Sequence, residues 1–238
     1  MNSFFGGILA FFFPRRCISC GRKPAGQEYS VLCANCADYI RETSASLGNK
    51  CVKCSTRLYD APPGLCFDCA DRTFRFGGNT SLLSYKNPVI HELVLSLKFE
   101  ANREAARDVA MLIEKPFADF MKTAGHDIVT AVPLSRGGMK KRGFNQVHLV
   151  LHYLGRDFTP ILTRREHDVA QSKLGLNDRR AAVKGQFEAA GNLDTVLHGK
   201  RILLIDDIFT TGSTADECTS VLLDNGAASV DILTFFRA

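Results

Sequence analysis

The stretch RILLIDDIFTTGST, residues 201–214, restricts the fold of this chain more than any other. Ile202 to Ile205 make a short, continuous apolar run of the kind found in a parallel strand buried on both faces. Asp206 and Asp207 end the run with two adjacent carboxylates at the strand's C-terminal edge. Thr210, Thr211, Gly212, Ser213 and Thr214 then set hydroxyls around one glycine, before a helical pattern that runs to about Asn225 and is capped by Gly226.

Small residues let the backbone close around an anion, and the first amides of the following helix point outward with the positive end of its dipole. Asp206 and Asp207 lie too near such an anion to hold a second one. Carboxylates there suit vicinal alcohols, which donate to them. A phosphate cradle beside two diol acceptors describes a ribose 5-phosphate site. An ordinary strand end or an ordinary helix cap explains either half alone, but not both in this order.

This run resembles the ribose-phosphate motif of type I phosphoribosyltransferases, a hydrophobic strand, two acids and a Thr-Thr-Gly-x-Thr loop. The resemblance gives Thr210 to Thr214 the 5-phosphate of phosphoribosyl pyrophosphate, and gives Asp206 and Asp207 the ribose hydroxyls.

Eight of the nine cysteines fall into four C-x-x-C pairs, Cys17/Cys20, Cys33/Cys36, Cys51/Cys54 and Cys66/Cys69, all in the first third of the chain. That is the spacing of zinc knuckles, and two pairs complete a tetrahedron with no open position, so the sites are structural. Disulfides or a thioredoxin-like pair fit less well, because four equal spacings stand without a surrounding βαβ pattern. Iron–sulfur ligation is a further alternative. Sequential pairing closes the shortest loops and predicts a double zinc ribbon; an interleaved arrangement is the other option. Cys218, alone in the last helical pattern, is expected to be a small buried hydrophobe.

Zinc changes the charge argument. The formal charge is +5, and eight thiolates with two Zn²⁺ add −8 and +4, leaving about +1. A basic pI is therefore weak support for a nucleic-acid partner, and distribution matters more. Between Ser135 and Lys184 there are eleven Lys and Arg against four Asp and Glu, so this segment is expected to face a polyanion.

The chain, at 238 residues, accommodates one core and an appendage. We expect residues 1–72 to hold an apolar leader and the double ribbon, Thr73 to Asn79 to be a linker, and residues 73–238 to form an α/β domain. The leader, Phe4 to Phe13, is broken by Gly6 and Gly7 and stopped by Pro14, too short for the ~20 residues of a membrane span. It lacks the basic start and small-residue cleavage site of a signal peptide and is expected to pack on the body, with a peripheral membrane foot as the alternative. Strands are predicted at 80–85, 128–132, 160–162, 201–205 and 230–235, with helices over 88–98, 102–124 and 145–156 between them. This alternation implies an open, mostly parallel sheet with flanking helices and a ligand site at the strands' C-terminal ends.

Two further segments reach that edge. Ser135, Arg136, Gly137 and Gly138 form a predicted loop, followed by Lys140, Lys141 and Arg142. Exposed amides and cations suit a pyrophosphate there; a solvated basic turn is the plainer alternative. Residues 164–187, with Gln171, Ser172, Arg179, Arg180 and Lys184, are long, polar and basic, as expected of a flap that closes on the anion.

Leu97-Lys98-Phe99, Val132-Pro133-Leu134, Arg142 to Gln146, Arg179-Arg180 and Val183 to Phe187, with the leader and knuckles, resemble the ComF/GntX family of phosphoribosyltransferase-like proteins over nearly the whole chain. Ala182 departs from the Asn common there, which puts one polar flap contact in doubt. The resemblance implies a cytoplasmic protein of natural transformation that binds phosphoribosyl pyrophosphate with Mg²⁺ and single-stranded DNA, and meets a competence helicase or other DNA-processing partner. Phe67, Phe74, Phe76 and Phe144 are candidate stacking platforms. The alternative is an active transferase moving ribose 5-phosphate to a nitrogen acceptor that the residues do not name. The short tail after the last strand is expected to leave little for an acceptor-binding hood.

Overall fold

The computed structural model describes residues 15–24, 28–45, 48–59, 61–165, 183–191 and 193–238. The leader at 4–13 and the flap residues Gln171, Ser172, Arg179, Arg180 and Ala182 lie outside the described residues. In chain order the elements are α1 (Ala34–Ala45), α2 (Phe67–Ala70), β1 (Asn79–Ser84), α3 (Pro88–Phe99), α4 (Arg103–Ala124), β2 (Ile128–Ala131), α5 (Arg136–Arg142) and α6 (Gln146–Tyr153). β3 (Leu162–Arg164), β4 (Phe187–Ala189), α7 (Asp194–Leu197), β5 (Arg201–Phe209), α8 (Ser213–Asp224) and β6 (Ser229–Arg237) follow.

Four strands form one parallel sheet in the order β1-β6-β5-β2, and β3 pairs with β4 in a separate antiparallel ribbon. β5 sits between two neighbours, and its apolar run is completely buried because both faces are covered. Leu203 and Ile205 enter a core built with α3, α4, α6 and the first cysteine module. Ile202 and Leu204 enter the opposite core, shared with α8, the ribbon and the second cysteine module.

Start signals in the sequence place the helices. Asn87 accepts from the amides of Val89 and Ile90, with Pro88 opening α3, and Asn102 and Asn145 cap α4 and α6 likewise. Three elements differ from the sequence expectation. The segment after Ser135 is a helix rather than a loop: Ser135 Oγ accepts from Gly138 N at 3.0 Å, and Gly143, at φ +75°, closes the C-terminus through Met139. The short strand predicted at 160–162 begins at Leu162, because Pro160 lacks the amide a ladder needs, and it pairs outside the main sheet. β5 stays extended beyond the acids to Phe209, paired with β6 as far as Arg237.

The expected linker is packed. Phe74 and Phe76 are buried and stacked at 4.8 Å between centroids, Arg75 N donates to Asp216 Oδ1 at 2.7 Å, and Gly77 N donates to Val230 O at 2.8 Å. Two aromatic side chains in seven residues outweigh the flexibility of Gly77 and Gly78.

The first cysteine module is fastened by a buried carboxylate. Asp108 of α4 is fully buried and accepts from Ser30 N at 2.6 Å and from Val31 N and Leu32 N at 2.9 Å, just ahead of Cys33. Burial raises its pKa, and the three amides oppose that shift.

Candidate functional site

Because β5 remains extended, side-chain alternation sends Asp206 and Asp207 to opposite faces of the sheet. Asp207, 5% exposed, lies on the face of α3 and α6: Lys98 Nζ stands 2.7 Å from its Oδ2, and Gln146 Nε2 donates to the same oxygen at 2.6 Å. Arg142 completes a ring, donating from Nε to Lys98 O at 3.0 Å and from Nη1 to Gln146 Oε1 at 2.8 Å. Two elements far from β5 in sequence, α3 and α6, thus meet on one carboxylate, and Arg142 of α5 ties them together.

Asp206 faces the other way, toward α8 and the ribbon. Burial and then the neighbouring Asp207 charge push its carboxyl up to about 7, against a 2.7 Å hydrogen bond from Asp207 N and the attraction of Lys98 and Arg164. Arg164 donates from Nε and Nη2 to Gln186 Oε1 at 3.2 and 2.6 Å and lies over the Phe187 ring. Gly185 N donates to Glu217 Oε1 of α8 at 2.6 Å.

The turn after β5 is shaped for close approach. Gly212 has φ +81°, and a Cβ there would stand 2.8 Å from the Phe209 ring and 3.1 Å from that of Phe74. Only glycine meets both demands. Gly212 is the N-cap of α8 and supplies no side-chain cap. Thr211 Oγ1 and Ser213 Oγ are 2.9 Å apart, Thr210 is exposed, and Thr211 and Thr214 are partly exposed. Hydroxyls and the opening of a 12-residue helix thus share one surface, on the face that Asp206 occupies.

Other expected residues are placed differently. Arg136, Lys140 and Lys141 are exposed on α5, with Lys141 Nζ 5.7 Å from the Phe99 ring, whereas Arg142 points inward. Ser135 spends its hydroxyl on capping α5. Among the proposed stacking rings only Phe67 is exposed; Phe74, Phe76 and Phe144 belong to the core. Lys98, Gln146 and Arg164 received no role from sequence. The available signals were the Leu97-Lys98-Phe99 and Arg142-to-Gln146 elements and the i, i+4 spacing of Arg142 and Gln146.

The eight paired cysteines gather into two clusters, Cys17/Cys20/Cys33/Cys36 and Cys51/Cys54/Cys66/Cys69, each with all four sulfurs within 4.8 Å of one another. Sγ atoms of Cys20 and Cys33, and of Cys54 and Cys66, approach to 3.6 Å. Tetrahedral bonds of ~2.3 Å to zinc set sulfurs about 3.8 Å apart, so the donor set and its spacing fit Zn²⁺. Burial resists ionisation of Cys17 and Cys54, yet neighbouring donors lower both to about 7. Cys218 is fully buried on the inner face of α8.

No family model matches the chain. It is 30% identical over 233 residues to the DNA utilization protein YhgH of Salmonella typhimurium, covering 94% of this chain and 97% of that one. It is 28% identical over 214 residues to the competence protein ComFC of Bacillus subtilis, covering 87% and 84%. A hypoxanthine phosphoribosyltransferase structure from Staphylococcus aureus shares 16% identity at a TM-score of 0.33, over 57% of this chain and 64% of that one.

Proposed function

The chain belongs to the ComF/GntX family of phosphoribosyltransferase-fold proteins, and from that premise we propose a cytoplasmic role in DNA uptake, with phosphoribosyl pyrophosphate and single-stranded DNA as ligands. The observation that carries the first ligand is the shared surface of Asp206, the Gly212 turn and the start of α8. In this reading the amides and hydroxyls of residues 210–214 hold the 5-phosphate, and Asp206 accepts from the ribose diol. Asp207 is committed to Lys98 and Gln146 and reaches the sugar only by exchanging that cation. In the same reading Arg179 and Arg180, from the basic segment between Arg164 and Gly185, are assigned to the pyrophosphate, together with Ser135 and Arg136 at the start of α5. Mg²⁺ takes one or two carboxylates with substrate phosphates, and Asp206 is the carboxylate that the sheet turns to this face; the ion would neutralise the pyrophosphate. Both cysteine clusters hold structural Zn²⁺.

For the second ligand, Lys140 and Lys141 give an exposed cationic surface at the same sheet edge. No helix among the described residues is long and apolar enough to cross a membrane. Names of the relatives refer to DNA utilization and competence, which supports a partner in DNA processing.

Calorimetric titration of phosphoribosyl pyrophosphate with Mg²⁺ tests the site. Wild type gives binding heat, and Asp206→Ala gives at least a tenfold weaker response. Equal binding by both refutes the assignment. Incubation with a panel of nucleobases and amines, monitored for pyrophosphate release, separates transfer from binding alone.

A further inference from the structure

A cavity of about 310 Å³ lies between the two cysteine modules and the β1 edge of the sheet, apart from the Asp206 surface. Its walls come from α1, the strip from Lys50 to Tyr59, the end of β1 and the last residues of β6. Lys50, Arg57, Lys86 and Arg237 line it, and among the described residues no Asp or Glu side chain does. Lys50 Nζ donates to Ser81 O and Arg237 Nη1 to Phe209 O, both at 3.1 Å, whereas Arg57 and Lys86 are exposed and available to an anion at the mouth. Tyr39 and Tyr59 also line it, 45% and 75% exposed, and the Arg57 guanidinium lies 5.1 Å from the centre of the Tyr59 ring.

This combination selects one ligand chemistry. Cations alone would suit any polyanion, but flat rings left in water beside them suit an anion that carries its own flat ring. The volume, at the lower end of small-molecule sites, matches about one nucleotide. We propose that this cavity seats a nucleotide unit of single-stranded DNA, with phosphate oxygens on Arg57 and Lys86 and the base against Tyr59. The inference rests on the nucleic-acid half of the function proposed above and gives it a second surface besides α5.

Walls from both cysteine modules explain a use for two of them: each contributes one tyrosine, and the sheet contributes Arg237. The Arg237 guanidinium donates to Phe209 O at 3.1 Å and lies over the Phe209 ring, which abuts Gly212. Phe209 thus separates the cavity from the phosphate turn.

Fluorescence anisotropy with a labelled oligothymidylate of about ten nucleotides, on the full chain, tests the proposal. Arg57→Ala/Lys86→Ala, both exposed, is expected to weaken binding at least tenfold and to reduce the slope of log affinity against log salt by about 1.4. Tyr59→Ala is expected to lose about 5- to 150-fold, and Tyr59→Phe to retain affinity. Variants that melt and bind as wild type overturn the proposal. Inorganic polyphosphate competing as well as the oligonucleotide overturns base stacking and leaves a bare polyanion patch. Wild type that does not bind the oligonucleotide overturns the nucleic-acid function itself. Thr211→Val is expected to lose phosphoribosyl pyrophosphate binding and keep the oligonucleotide, which separates the two sites.

Discussion

Lys98 Nζ lies 2.7 Å from Asp207 Oδ2, joining the C-terminal end of α3 to the central strand of the sheet across a site where the two side chains are 15% and 7% exposed. Removing one member strands a nearly buried charge. Lys98→Met is therefore expected to cost about 3–5 kcal/mol, and Lys98→Met/Asp207→Asn to recover much of it. Urea denaturation of the two single variants and the double variant measures the coupling; additive losses would show that the pair does not act as a unit.

Asp206 gives a pH signature. Folded chain keeps its proton to about pH 7, whereas an unfolded aspartate releases it near pH ~4. Between those values the folded state binds more protons, so stability falls as pH rises, then levels above about 7. Asp206→Asn removes that slope. Thermal melts of both proteins from pH 5 to 8 check it, and parallel slopes would contradict the assigned carboxyl.

Gly212→Ala places a Cβ 2.8 Å from Phe209 at a positive φ. We expect a loss of about 1–3 kcal/mol and, because the turn must move, a larger relative loss of phosphoribosyl pyrophosphate affinity than of stability. Unchanged affinity in a folded variant would remove the turn from the binding surface.

Each four-cysteine cluster is closed within its own module. Two zinc ions per chain are expected, and Cys33→Ser should release one while the cluster containing Cys51 keeps the other. Metal analysis after gel filtration reads this directly. Loss of both ions together would mean the two clusters fold as one unit.

Asp108→Ala leaves three buried amides, those of Ser30, Val31 and Leu32, without their acceptor. A loss of at least about 2 kcal/mol is expected. A variant as stable as wild type would show that water replaces the carboxylate.

Much of the frame is written locally. The apolar run of β5, the caps Asn87, Asn102 and Asn145, and the glycine of the turn each act through neighbours a few residues away, so their consequences are readable from the chain alone. The C-x-x-C spacing is equally local and marks the two metal-type clusters. Less was legible where a local signal had two outcomes. Ser135 and Gly143 are good helix caps, but two glycines between them suggested a loop; the caps prevailed. Phe74 and Phe76 sat among glycines that suggested a linker; burial prevailed.

From the residues alone came the identity of the chemistry: paired acids, a hydroxyl-lined turn around Gly212, and four thiol pairs. Tertiary structure decided how that chemistry is divided. Extension of β5 through Phe209 turns Asp206 and Asp207 to opposite faces, packing of α3 and α6 brings Lys98 and Gln146 onto one of them, and folding of both modules against β1 assembles a cationic, tyrosine-lined cavity. Each of these depends on contacts between residues tens of positions apart, which sequence periodicity does not encode because it reports only which way a side chain faces, not what it meets there.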